Sequence, residues 1–159
     1  MVRQLNRQAA QDHSTVSSNS PPKGFSTMKG LLKPPVNGRI ISHDVLFENK
    51  KYKNVTNQDG IRFQAQKGEP VRCVWFGKVI YTGWLKGYGK ILIVSHGDHY
   101  YTIYAHNEDV FKTEGDIVES GEVIATVGES GSLAGPQLYF EIRHHDKPLD
   151  PLGWIAEKS

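Results

Sequence analysis

Hydrophobic and polar residues alternate along most of this chain with the two-residue period of strands rather than the 3.6-residue period of helices. In QLYFEIR, positions 137–143, Leu138, Phe140 and Ile142 fall on one face and Gln137, Tyr139, Glu141 and Arg143 on the other. Short runs rich in Val, Ile, Tyr, Phe and Thr, separated by glycines and Asp or Asn turns, repeat this texture from about residue 31 onward. The spacing predicts strands over 39–42, 60–65, 70–76, 78–85, 90–96, 100–105, 122–127 and 137–143. HGDHYY, 96–101, reads as a hairpin connection. Only NEDVFK, 107–112, and DPLGWIAEK, 150–158, read as helical turns, with Pro151 suited to open the second.

The first part of the chain lacks this pattern. Residues 1 to about 12 favour helix but are too few to hold one alone, and HSTVSSNSPPKG, 13–24, is rich in Ser, Pro and Asn. The expected division is a helix remnant or flexible linker over 1–24 and one folded domain over 25–159.

Composition narrows the function classes. The chain has 159 residues, 23% of them charged, with a formal net charge of +2. No dense basic block is present to follow a phosphate backbone, so nucleic acid is not expected as a partner. No run is apolar enough to span a membrane or to form the h-region of a signal peptide, so neither a membrane segment nor an export signal is read. Cys73 is the single cysteine. An intrachain disulfide and a Cys-based zinc site are thereby excluded, and PVRCVWF reads as a buried strand with Cys73 as a small hydrophobe.

The candidate chemistry lies on polar strand faces. Gln137, Tyr139, Glu141 and Arg143 share one face, and in NQDGIRF, 57–63, Gln58 and Arg62 share another if the segment is extended. His96, His99, His106, His144 and His145 raise the idea of a metal site, but adjacent histidines on a strand point oppositely and no carboxylate stands at a ligand spacing. GDIVESGEVIATVG, 115–128, also has the rhythm of biotinyl and lipoyl carrier domains. Those present a modified lysine at a hairpin tip, and no such tip is evident here.

The ordered motifs GYGK, SHGD, YTIYAH, GDIVESGEVIATVG and GPQLYFEIR, within a stretch from about 38 to 155, resemble the LytM or lysostaphin-type zinc endopeptidases of peptidoglycan. The resemblance implies a mostly-β fold, two antiparallel sheets packed into a barrel-like shape with a surface groove. That family reads H-x-G-x-D, Y-A-H and G-P-H-L-H-F-E. Carried onto this chain, the three zinc-ligand positions are Gln58, Arg62 and Tyr139, and the two catalytic histidine positions are His106 and Gln137. Only His106 is retained.

The substitutions argue against zinc. A Gln offers a neutral amide oxygen, a phenol with pKa near ~10 resists deprotonation, and a guanidinium is cationic at every relevant pH. Arg62 beside Glu141 or Asp59 is expected to form an ion pair that fills the site. Neither a cofactor nor catalytic residues are therefore expected.

L-Y-F-E-I-R and W-L-x-G-Y-G are further similar to the EnvC-like murein hydrolase activators. That resemblance implies a non-catalytic periplasmic or cell-envelope regulator. Its protein partner is expected to be a zinc-dependent N-acetylmuramoyl-L-alanine amidase, bound through a groove formed by Gln58, Arg62, His106, Gln137, Tyr139, Glu141 and Arg143. Tyr88, Tyr101 and Trp84 are also residue types enriched where partners anchor, although Trp84 and Trp154 read more simply as core or barrel-end plugs. The alternatives are a peptidoglycan-binding scaffold without an amidase partner and a zinc endopeptidase with non-standard ligands.

Overall fold

The computed structural model describes residues 24–41, 60–132 and 134–156. The expected N-terminal helix remnant and linker, and with them Gln58 and Asp59, lie outside the described residues. Ten strands follow in order: β1 (Arg39–Ile40), β2 (Ile61–Gln64), β3 (Pro70–Arg72), β4 (Gly77–Leu85), β5 (Gly89–Ser95), β6 (Tyr100–Val110), β7 (Ile117–Val118), β8 (Val123–Val127), β9 (Gln137–His144) and β10 (Lys147–Leu149). Single 3-10 turns at Phe25–Met28 and Pro151–Gly153 complete the described elements. Among the described residues no helix is long and apolar enough to cross a membrane.

All the strand pairings are antiparallel, as expected for this fold class. The main ladder runs β1-β2-β9-β6-β5-β4-β7, with β10 beside β9 and a second limb, β8 and β3, joined through the far half of β6. The ladder does not close on itself.

Strand β6 holds the two limbs together. Its first half pairs with β5 and β9; after Ala105 the chain bends, and Asn107 and Val110 pair with Val127 and Ala125 of β8. NEDVFK is thus largely strand rather than the helical turn its polar residues suggest. Asn107 explains the difference: its side-chain amide donates to the carbonyls of Lys90 and Tyr104, holding the bend where a helix would otherwise compete.

The core is built by the apolar halves of the alternating strands. Leu138, Phe140 and Ile142 pack with Ile61, Phe63, Val79, Leu92, Val94, Tyr104, Ile124 and Val127. Burying side chains of this size stabilises by about 1.5–3 kcal/mol each relative to exposure. Cys73 belongs to this core; its Sγ lies 3.1 Å from the Trp75 carbonyl, and burial pushes the thiol up to about 11.

One end is closed by aromatic stacking, Phe25 lying between His96 (4.7 Å) and Trp154 (4.9 Å). Asp150 caps the adjoining turn by accepting from the Leu152 N–H. Trp154 is thus the plug its sequence suggests. Trp84 is not: near the tip of the β4–β5 hairpin it is 60% exposed.

Candidate functional site

Strands β2 and β9 lie side by side with Arg62 opposite Tyr139 and Gln64 opposite Gln137, so the register sets these polar residues on neighbouring positions of one face. Strand β6 supplies the third wall, with Ala105 opposite Tyr139. On that face Tyr139 packs with Ile91, Ile103 and Ala105, and Tyr81, Tyr88 and Ile93 are half-buried against them.

Four of the residues expected to line a groove on this face are closed to solvent, whereas Arg62 and Arg143 are half-buried. Gln137, Tyr139 and Glu141 are all buried, as is His106. A surface cavity of about 690 Å³ does lie nearby, lined by Ile41, Gln64, Ala65, Glu69, Ala134 and Pro136 among others, but none of the face's central residues lines it. Strand alternation assigns a residue to a face; it does not say what covers that face.

A continuous hydrogen-bonded chain occupies the centre. The Gly60 N–H donates to the Tyr139 hydroxyl at 2.9 Å. That hydroxyl donates to Glu141 Oε2 at 2.5 Å, and Arg143 Nε donates to Glu141 Oε1 at 2.6 Å. Gly60 is required here, since a Cβ would collide with the Phe140 carbonyl oxygen and approach the Glu141 side chain.

Arg143, two residues along the same strand face, is the cation that pairs with Glu141. Of the two carboxylates expected to pair with Arg62, Glu141 is engaged by Tyr139 and Arg143, and Asp59 lies outside the described residues. Arg62 sets its guanidinium carbon 5.3 Å from the Tyr139 ring centre, within cation–π range.

Electrostatics follow from this packing. Burial, reinforced by the Glu141 charge and the hydroxyl's bond to it, pushes the Tyr139 phenol far above its ordinary range, so it remains protonated. Burial also lowers Arg62 from its usual value, with Tyr139 and Tyr88 opposing the shift.

His106 enters the site through an unusual backbone. It has φ +68°, a left-handed conformation that costs a non-glycine residue about 1–3 kcal/mol unless its surroundings enforce it. They do: its N–H donates to the Tyr88 carbonyl at 2.8 Å, and its carbonyl accepts from Gly128 N–H at 3.1 Å. The ring Nδ1 lies 2.8 Å from the Ser130 carbonyl. Burial lowers the ring's pKa, the Ser130 bond opposes this, and the Arg62 charge lowers it further, which favours neutral imidazole. No sequence pattern signals that conformation.

The described residues do not fit a zinc ion. Tyr139 keeps its proton and is committed to Gly60 and Glu141, while Arg62 brings a positive charge where the resemblance places a ligand. The other described histidines do not rebuild a site elsewhere. His96 is buried between the Phe76 carbonyl and Thr102, with its pKa lowered to about 4 by burial. His99 stacks on His145 and His144 on Tyr100, ring on ring, which turns their nitrogens to the edges of stacks. Among the described residues no three His, Cys, Asp or Glu side chains are placed to share an ion.

Comparison with known proteins places this geometry. The murein hydrolase activator EnvC of Escherichia coli is 36% identical over 97 residues, covering 61% of this chain and 23% of EnvC. The murein hydrolase activator NlpD of Salmonella typhimurium is 30% identical over 146 residues, 91% of this chain and 37% of NlpD. The chain therefore spans well under half the length of these relatives.

Among solved structures, a peptidase M23 structure from Pseudomonas aeruginosa shares the fold, with a TM-score of 0.68 and 23% identity over 98% of this chain and 63% of that one. A zinc-containing peptidase from Vibrio cholerae gives 0.59 and 31%, over 63% of this chain and 31% of that one. Residues 56–151 match the model of peptidase family M23, well over half of the chain, and the chain belongs to that family, in its LytM type.

Proposed function

We propose that this chain is a non-catalytic LytM-type regulator of the cell envelope that binds and activates a zinc-dependent N-acetylmuramoyl-L-alanine amidase. The observation that carries this reading is the closed network at the ligand positions. The Tyr139 hydroxyl is held between Gly60 and Glu141, and the Arg62 guanidinium lies against its ring, so the metal-ligand positions hold a rigid aromatic and a cation. Aromatic side chains and arginine are the types that dominate protein–protein hot spots. The similarity to EnvC and NlpD, both named murein hydrolase activators, supports the same reading.

In this reading the chain's contribution is positional. The Glu141–Arg143 pair fixes Tyr139, Tyr139 supports Arg62, and the half-buried Tyr88 packs at 5.6 Å from Tyr139. Gln58 is included in the binding face through the family motif alone.

The test is a reconstituted assay of the chain with a cognate amidase and labelled sacculi. Wild type is expected to stimulate release of label. Arg62→Ala is expected to lose at least tenfold in stimulation with about 1 kcal/mol or less lost in stability, since Arg62 is only partly buried. No stimulation by wild type, or full stimulation by both Arg62→Ala and Tyr139→Ala, would leave the scaffold reading in its place.

A further inference from the structure

The activator face contains two buried acceptors that nothing in the described structure satisfies. His106 Nε2 and Gln137 Oε1 have no hydrogen-bond partner, though their residues are 1% and 3% exposed. Buried polar groups are almost always paired, and leaving one unpaired costs about 1–3 kcal/mol.

Both atoms present lone pairs. A carbonyl can only accept, so the contact with the Ser130 oxygen places the His106 proton on Nδ1 and leaves Nε2 bare in the neutral ring. The amide oxygen of Gln137 is an acceptor by nature.

The two residues are neighbours. Gly128 N–H donates to the His106 carbonyl, and Gln137 N–H donates to the Gly128 carbonyl at 3.0 Å. Tyr139 shares the Gln137 face of β9, and its ring lies 6.3 Å from that of His106.

We propose that His106 Nε2 and Gln137 Oε1 form a subsite for one neutral group bearing two N–H protons, the carboxamide of an Asn or Gln side chain on the protein partner. The Arg62 charge, which already acts on His106, disfavours an ammonium or guanidinium at this place. A carboxylate or carbonyl oxygen has no proton to give. The half-buried ring of Tyr88 packs 5.6 Å from that of Tyr139 on the same face. The identity of the partner rests on the amidase reading above; the chemistry of the subsite does not.

Two arms separate them. With the seven histidines labelled by ¹⁵N, the protein is titrated with acetamide, N,N-dimethylacetamide and methylammonium. Acetamide is expected to shift the His106 Nε2 resonance selectively, N,N-dimethylacetamide and methylammonium are not, and Gln137→Met is expected to weaken the acetamide response about tenfold. An equal response to N,N-dimethylacetamide, a stronger one to methylammonium, or no response to acetamide, as for a pair served by bound water only, would overturn the proposal.

In the second arm Gln137→Met is expected to raise the Kd for the amidase about tenfold while leaving the melting temperature of the free chain unchanged or higher, because an unpaired acceptor is removed. A fall in melting temperature with unchanged Kd would assign Gln137 a structural role only and sink the subsite. An acetamide response without amidase binding would retain the subsite and remove the amidase reading; stimulation with no acetamide response would do the reverse.

Discussion

The two faces of strand β9 are buried to the same degree by different physics. Leu138, Phe140 and Ile142 enter the core and are held by packing that has no direction. Gln137, Tyr139 and Glu141 are equally closed to water, but there the stabilisation depends on where each proton and lone pair lies. The apolar face tolerates any side chain of suitable volume; the polar face is specified atom by atom. In the proposed reading a side-chain network stands where the family motif places a metal, above the core of an M23 domain.

The largest expected effect separates the faces. Phe140→Ala should cost about 4 kcal/mol in urea unfolding, by lost transfer energy and a cavity; a loss under about 1 kcal/mol would mean that the core can collapse around the gap. Next comes a buried polar group away from the site, His96, which serves as a control. Its neutral ring is favoured by burial, so its stabilisation is complete above about pH 6.5 and is lost as pH falls toward about 4, amounting to about 3 kcal/mol. Urea midpoints measured from pH 7.5 to 4 would show this decline in wild type and a flatter profile in His96→Gln; parallel profiles would contradict it.

On the polar face, Glu141→Gln should cost about 2 kcal/mol, since Arg143 loses its carboxylate and the Tyr139 hydroxyl loses a charged acceptor. Thermal melts of this variant beside Arg143→Met would show whether the two losses are additive; full additivity would deny the coupling through Glu141. Smallest is Tyr139→Phe, at about 1 kcal/mol, because the ring and its packing remain and only the hydroxyl between Gly60 and Glu141 is removed. Hydrogen exchange should become faster at the Gly60 amide in that variant, and an unchanged rate would show that the hydroxyl does not hold it.

Much of this arrangement was legible in the sequence. The alternation in 137–143 identified the core half of β9 correctly, because a two-residue period leaves few alternatives once Leu, Phe and Ile share a face. The pattern failed where tertiary contacts decide. Residues 107–110 read as a helical turn, yet Asn107 and the bend at His106 carry them across to β8. Strand β10, with Pro148 inside three residues, and β7, with two, were too short to signal themselves.

At the candidate site the family motif named Arg62, His106, Gln137, Tyr139 and Glu141 as positions, but the burial of all of these except Arg62 was not visible. Nor was the choice of Arg143 over Arg62 as the partner of Glu141. That choice follows from register: Arg62 stands opposite Tyr139, while Arg143 shares Glu141's own strand face.

The central claim, that this face has exchanged a metal for a side-chain network, is tested most directly by calorimetric titration of the metal-free chain with zinc, paired with a murein cleavage assay. The expected result is no stoichiometric tight binding, no cleavage of murein peptides, and a melting temperature unmoved by chelator. One zinc bound per chain, with cleavage that a chelator abolishes, would contradict it.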